Sequence, residues 1–138
     1  MLRHVVAPAS AVPPGGRMLA EVAGKKIAIF NLGGEFFGLL NRCPHQGGEL
    51  CRGTTSGLLE AAAPGEYRYT RQGEILRCPW HGWEFDIRTG QSRAEPQRIR
   101  TKAYAVERAS GAALAEEPEL RAETFPVAIE QDYIVVDL

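Results

Sequence analysis

Asn41-Arg42-Cys43-Pro44-His45-Gln46-Gly47-Gly48-Glu49-Leu50 and Cys78-Pro79-Trp80-His81-Gly82-Trp83-Glu84-Phe85-Asp86 each bring one cysteine and one histidine together within four residues. One thiolate and one imidazole per loop make four soft or borderline donors. Such a set suits a metal centre far better than a hydrophobic core.

Two sulfurs and two nitrogens fit either a single tetrahedral zinc or a two-iron cluster with nitrogen on one iron. Zinc modules usually pair two cysteines in one knuckle and two histidines on a helix turn, whereas each loop here mixes one Cys with one His. The mixing favours two irons. If each loop sends its Cys to one iron and its His to the other, both loops clasp the same cluster.

The residues around the donors make the pattern more specific. The two segments resemble the two cluster loops of Rieske [2Fe–2S] proteins. The likeness extends to the turn Arg88-Thr89-Gly90 and, more loosely, to the flanking strand-like segments, so it covers most of the chain except two inserts. The resemblance implies one [2Fe–2S] cluster per chain, with Cys43 and Cys78 on one iron and His45 and His81 on the other. In the quinol-oxidising members each loop carries an extra cysteine and the two form a disulfide. This chain departs from that: Trp80 stands where the second loop would carry its extra Cys, and Cys51 lies too far past His45 to be the first.

The chain's 138 residues, 44% of them hydrophobic, fit one domain, 1–138, with a cluster-binding region at about 41–90. A second catalytic domain is not expected within this length. A formal net charge of -1 gives no broad electrostatic case for nucleic acid or an anionic membrane, so partners are expected to be proteins. Met1-Leu2-Arg3-His4 leads into Val5-Val6-Ala7-Pro8 rather than an apolar signal core, and no run approaches the ~20 residues of a membrane span. A cytoplasmic protein is the expectation, and a reducing compartment tolerates Cys51, which has no obvious disulfide partner.

Met18 to Val22, Lys25 to Phe30 and Glu35 to Leu40 are short apolar or alternating segments broken at Gly24 and Gly33-Gly34, as antiparallel strands are. Ile75-Leu76-Arg77 leads into the second loop and Trp83 to Ile87 leaves it, as in a hairpin with ligands at its tip. Further strands are expected at Ile99 to Val106, Thr124 to Ile129 and Tyr133 to Asp137. With 15 Gly, 9 Pro and no long helical period, the fold class is all-β: an antiparallel sandwich or small barrel with a two-loop cluster-binding subdomain.

Two inserts interrupt the pattern, at about 52–73 and 108–123. The first makes the connection between the loops, residues 46 to 77, longer than is usual for Rieske proteins. Its middle, Thr54 to Glu66, is rich in Gly, Ala and Pro and reads as a surface excursion. The second, Arg108 to Glu123, is Ala- and Glu-rich and reads as a long loop or short helix. Either insert is a place for a partner, although a solvated loop without a specific role is the commoner case.

Mixed ligation has a chemical purpose. Two ferric ions, two sulfides and two thiolates sum formally to zero, so neutral imidazoles make electron uptake easier than four thiolates would. High-potential members of the family resemble one another in placing a Ser and a Tyr soon after the second His, where hydroxyls bond the cluster sulfurs. Trp83 and Phe85 stand there in this chain and supply neither hydroxyl. The expected potential is therefore low, near the roughly −150 mV end of the Rieske range.

Gly47 and Gly82 allow tight turns, Pro44 and Pro79 stiffen the loops, and Trp80, Trp83 and Phe85 are core or shielding residues. His4 is a surface residue, Cys51 a small hydrophobe, and Glu116, Glu117 and Glu119 a solvated acidic face. No Ser-His-Asp set, phosphate loop or nucleotide fingerprint is present, so no catalytic residue is assigned. What the resemblance implies is an electron-transfer component rather than a stand-alone enzyme: a Rieske-type ferredoxin passing one electron at a time from a flavin-dependent reductase to a terminal oxygenase of the ring-hydroxylating dioxygenase kind. A small subunit of another oxidoreductase, such as a nitrite reductase, with a large redox subunit as partner, is the nearest alternative. A colourless zinc-stabilised β module that binds proteins through the same Cys43, His45, Cys78 and His81 is the alternative from another class.

Overall fold

A computed structural model describes residues 3–44, 47–116 and 128–138. The chain divides into two compact units, residues 1–38 with 104–138, and residues 39–103, so the cluster-binding region expected at 41–90 lies within the second. In chain order the strands are β1 (Arg3–Pro8), β2 (Arg17–Val22), β3 (Lys25–Leu32), β4 (Glu35–Leu40), β5 (Thr54–Ala63), β6 (Glu66–Arg77), β7 (Glu84–Asp86), β8 (Ala103–Ser110) and β9 (Asp132–Asp137), with one short helix, α1 (Gly111–Ala115). The all-β expectation holds.

One sheet has six strands in the order β1-β9-β8-β4-β3-β2. Its two outer strands, β1 and β2, approach each other, so the sheet curls into a nearly closed antiparallel barrel. Ala23-Gly24 joins β2 to β3 with positive φ at both residues (50° and 79°), the two-residue turn whose twist matches antiparallel strands. Ile27 and Ile29 of β3 and Ile134, Val135 and Val136 of β9 are fully buried. The buried Asn31 side chain donates to the Val12 carbonyl at 2.8 Å and accepts from the Gly34 N–H at 2.7 Å, which satisfies a polar group inside the apolar interior.

The second sheet has three strands in the order β5-β6-β7. β6 pairs with β7 at Ile75↔Asp86, Leu76↔Phe85 and Arg77↔Glu84, and this is the hairpin foreseen around the second loop. Leu50, Ile75, Leu76, Phe85 and Ile87 are buried in this unit.

The first insert is not an irregular excursion. Residues 54–63 and 66–77 form a long antiparallel hairpin, closed by Pro64-Gly65, with Leu59 opposite Tyr69 and Ala61 opposite Tyr67. A bulge sets Gly57 against residues 71–74, and the Gly57 N–H donates to the Tyr69 hydroxyl at 2.5 Å. Long-range pairing has overridden the weak strand propensity of an Ala- and Gly-rich segment. The second insert begins later than expected, because β8 runs on to Ser110. Its helix then starts at Gly111, with the Ser110 side chain accepting from the Ala113 N–H at 3.2 Å. Of the strand expected at Thr124 to Ile129, residues 124–127 lie outside the described residues, and 128–129 are turn and coil. β1 was not foreseen: its partner is β9, at the far end of the chain.

Candidate metal centre

Both cysteines leave the surface at the mouth of a loop. Cys43 is 1% exposed and Cys78 2%, and neither is in a disulfide; Cys51, half-buried, is also unbridged. The two loops share one backbone frame. The Cys43 N–H donates to the Gly48 carbonyl at 2.8 Å and the Gly47 N–H to the Cys43 carbonyl at 2.8 Å. The Cys78 N–H donates to the Trp83 carbonyl at 2.7 Å and the Gly82 N–H to the Cys78 carbonyl at 3.1 Å. Counted from the cysteine, both bonds fall at the same offsets, four and five residues on. Gly47 (φ 80°) and Gly82 (φ 74°) occupy the left-handed region that this closure requires. Arg42 and Arg77, each just before its cysteine, lie against these glycines.

The loops meet. A Cβ placed on Gly48 would stand 2.8 Å from the Cys78 Sγ and 3.0 Å from the Trp80 Cγ, so hydrogen is the only side chain that fits between them. Cys78, through its contact with Gly48, is thereby joined to the loop that carries Cys43. His81 is exposed at the tip of the second loop and Trp80 beside it is 60% exposed. His45 lies outside the described residues, and among those that are described no three His, Cys, Asp or Glu side chains converge on one point. Of the aromatic residues weighed for shielding, Phe85 is fully buried and Trp83 half-buried.

Each loop is anchored from behind. Before Cys43, the buried Thr101 hydroxyl donates to the Leu40 and Arg42 carbonyls at 3.1 and 3.3 Å. The Asn41 side chain accepts from the Cys51 N–H at 2.6 Å, tying the loop's entry to its exit. Behind the second loop, Glu74 Oε1 accepts from Arg71 and Arg88, both at 2.9 Å. Asp86 Oδ1 accepts from Arg71 at 2.8 Å and from the Arg88 N–H at 2.9 Å. The Arg88 guanidinium, with Arg71 beside it, holds the Glu74 carboxyl below its usual value against the opposing effect of burial. Hydrogen bonding to Asp86, then to Glu74, holds Arg71 still further above its own. Sequence reasoning passed over Asn41, Thr101 and Gly48. Only the Gly47-Gly48 doublet carried a signal: one glycine serves the turn and the other the close approach.

The site's chemistry fits a bridged cluster. Two buried, unbridged thiols sit on backbone-equivalent loops pressed together through a glycine, with an exposed imidazole three residues from one of them. The model of the Rieske [2Fe–2S] domain matches residues 3–105. The biphenyl dioxygenase ferredoxin subunit of Pseudomonas sp. (strain KKS102) is 30% identical over 95 residues, 69% of this chain and 73% of that one. The 3-phenylpropionate/cinnamic acid dioxygenase ferredoxin subunit of Escherichia coli (strain K12) is 26% identical over 119 residues, 86% and 97% of the two chains. Among solved structures, the Sphingomonas yanoikuyae B1 ferredoxin superposes with a TM-score of 0.59 at 24% identity, covering 97% of this chain and 96% of that one. Motif, fold and relatives agree: the chain belongs to the Rieske [2Fe–2S] domain family.

Proposed function

We propose that this chain is a one-electron carrier that receives electrons from a flavin-dependent reductase and delivers them to a terminal oxygenase of the ring-hydroxylating dioxygenase kind. The observation that carries the proposal is the pair of backbone-equivalent cysteine loops meeting at Gly48, in a family member whose relatives are dioxygenase ferredoxin subunits. Cys43 and Cys78 are assigned to one iron, His45 and His81 to the other. When bound, the cluster supplies reversible one-electron chemistry. The chain's own residues do the rest. Burial of Cys43 and Cys78 keeps water from the sulfur side, and the exposed His81 edge is the port through which an electron crosses to a partner. Trp83 and Phe85, without hydroxyls, leave the potential low enough for electrons that originate in NAD(P)H. Three unbridged cysteines suit a reducing, cytoplasmic setting, and among the described residues no helix is long and apolar enough to cross a membrane.

The test is low-temperature electron paramagnetic resonance on anaerobically purified, dithionite-reduced protein, with iron, sulfide and zinc counted on the same sample. A rhombic signal with average g below about 2 and about two irons per chain is expected. Stoichiometric zinc with no signal would refute electron transfer and leave a structural metal module.

A further inference from the structure

We propose that the surface around the two cysteine loops is a basic docking face, built from Arg42, Arg77 and Arg93 around the exposed Trp80, for a redox protein that presents carboxylates about an apolar recess; this rests on the electron-carrier function above. The net charge of -1 does not reveal this face, because a sum over the whole chain says nothing of where charges of one sign gather.

Most charges of the second unit are internally neutralised. Arg52 pairs with Glu49 at 3.2 Å, Arg68 with Glu60 at 3.6 Å and Arg98 with Glu95 at 3.3 Å, while Arg71 and Arg88 share Glu74 and Asp86. Arg42, Arg77 and Arg93 are exposed and have no carboxylate within ion-pair distance among the described residues. All three lie at the loops. The Arg42 Nε is 3.4 Å from the position of a Cβ on Gly47, and the Arg77 Nε 3.7 Å from that on Gly82. Arg93 lines, with His81, Gly82, Trp83 and Glu84, an open depression of about 240 Å³. Half-buried Glu84 lines the depression with Arg93, and exposed Glu49, in the first loop, is taken up by its pair with Arg52. The Trp80 ring, 60% exposed and backed by Gly48, gives the face an apolar anchor. Arginine and tryptophan are the residues most enriched among the energetic centres of protein interfaces. Clustered charge of one sign raises encounter rates with opposite charge by roughly 10- to 1,000-fold at low salt.

Small redox reagents of opposite charge read this field without the natural partner. Protein reduced by dithionite and desalted is mixed in stopped flow with ferricyanide, an anion, or with hexaamminecobalt(III), a cation. In each case one electron leaves the reduced protein, giving ferrocyanide or cobalt(II). Salt is raised from about 10 mM to about 1 M, across which the screening length falls from about 30 Å to about 3 Å. The ferricyanide rate is expected to fall about tenfold and the cobalt rate to rise. The low-salt ratio of the two rates, in which changes of driving force cancel, is expected to drop about tenfold in Arg42→Gln/Arg77→Gln and to stay unchanged in Arg68→Gln. A ferricyanide rate that is flat or rises with salt overturns the proposal, as does a ratio that the double substitution does not move. If the double variant loses its visible spectrum, the wild-type salt dependence decides alone. The paramagnetic signal is recorded first on the same sample. Its absence sinks the carrier function and the docking face together, whereas an intact signal with no salt dependence sinks only the docking face.

Discussion

Gly48→Ala isolates the contact that joins the two loops. Gly48 does not adopt the left-handed region, so alanine meets no backbone penalty and the whole effect comes from the added methyl. That methyl would stand 2.8 Å from the Cys78 Sγ and 3.0 and 3.4 Å from the Trp80 Cγ and Cβ. Non-bonded carbon contacts settle at about 3.5–4.0 Å, so sulfur and methyl must separate by roughly 1 Å. Trp80 is exposed and can swing aside. Cys78 is buried, and its peptide is held by the Trp83 carbonyl and the Gly82 N–H, so its sulfur can move only by opening the loop. Overpacking of this kind costs about 1–3 kcal/mol. If the folded, cluster-loaded state bears that cost, the cluster is held about 5- to 150-fold less tightly. The assay is loss of the visible absorption in excess chelator, followed in parallel with the midpoint potential. Gly65→Ala is the control: it also replaces a glycine, at φ 83° in the hairpin turn, but nothing lies within 4 Å of the new methyl. It should cost about 1 kcal/mol of fold stability and leave cluster retention unchanged. A Gly48→Ala protein that holds its cluster as long as wild type, at the same potential, would refute the reasoning that the loops are closed on each other at this point.

Substitution of the proposed ligands gives a second expectation: His81→Cys retains a cluster at lower potential because a thiolate adds negative charge, whereas Cys43→Ala fails to assemble one; unchanged redox titrations in both would remove the ligand assignment. The wild-type midpoint should lie near roughly −150 mV, and a value above about +100 mV, measured by mediated titration, would show that the missing hydroxyls at Trp83 and Phe85 do not set it. Glu74 makes stability depend on pH. Its carboxyl is held below the ordinary 4.5 in the folded chain, so its contribution is complete above that value and is lost as the pH falls through the lower, folded one. Glu74→Gln should therefore cost about 1 kcal/mol near neutral pH, a modest figure because its arginine partners are about one-third exposed, and urea titrations of variant and wild type should converge in acid. A difference that persists unchanged below about pH 3 would assign the effect to packing rather than charge.

The metal chemistry was legible in the sequence because donor identity and loop spacing are local. Two Cys/His loops flanked by proline and glycine declare their chemistry whatever surrounds them, and turn residues at Gly24 and Gly33-Gly34 mark strand ends just as locally. The expected strands β2, β3 and β4 coincide with the structure for this reason, and β9 and the β6–β7 hairpin also fall where their apolar runs predict them. What depends on distant partners was not legible. β1 exists because residues 3–8 pair with residues 132–137. The insert at 54–77 is a hairpin because alternation in Tyr67-Arg68-Tyr69 finds its complement in Leu59-Glu60-Ala61, not because alanine and glycine favour strands. Sequence alone thus pointed to the candidate donors and determined the all-β class and the family. The tertiary structure decided which glycine turns a loop and which lets two loops touch, which arginines are neutralised and which are left facing outward. Those distinctions rest on which side chains meet in space, in the case of Gly48 and Cys78 across thirty positions, and spacing along the chain does not carry them.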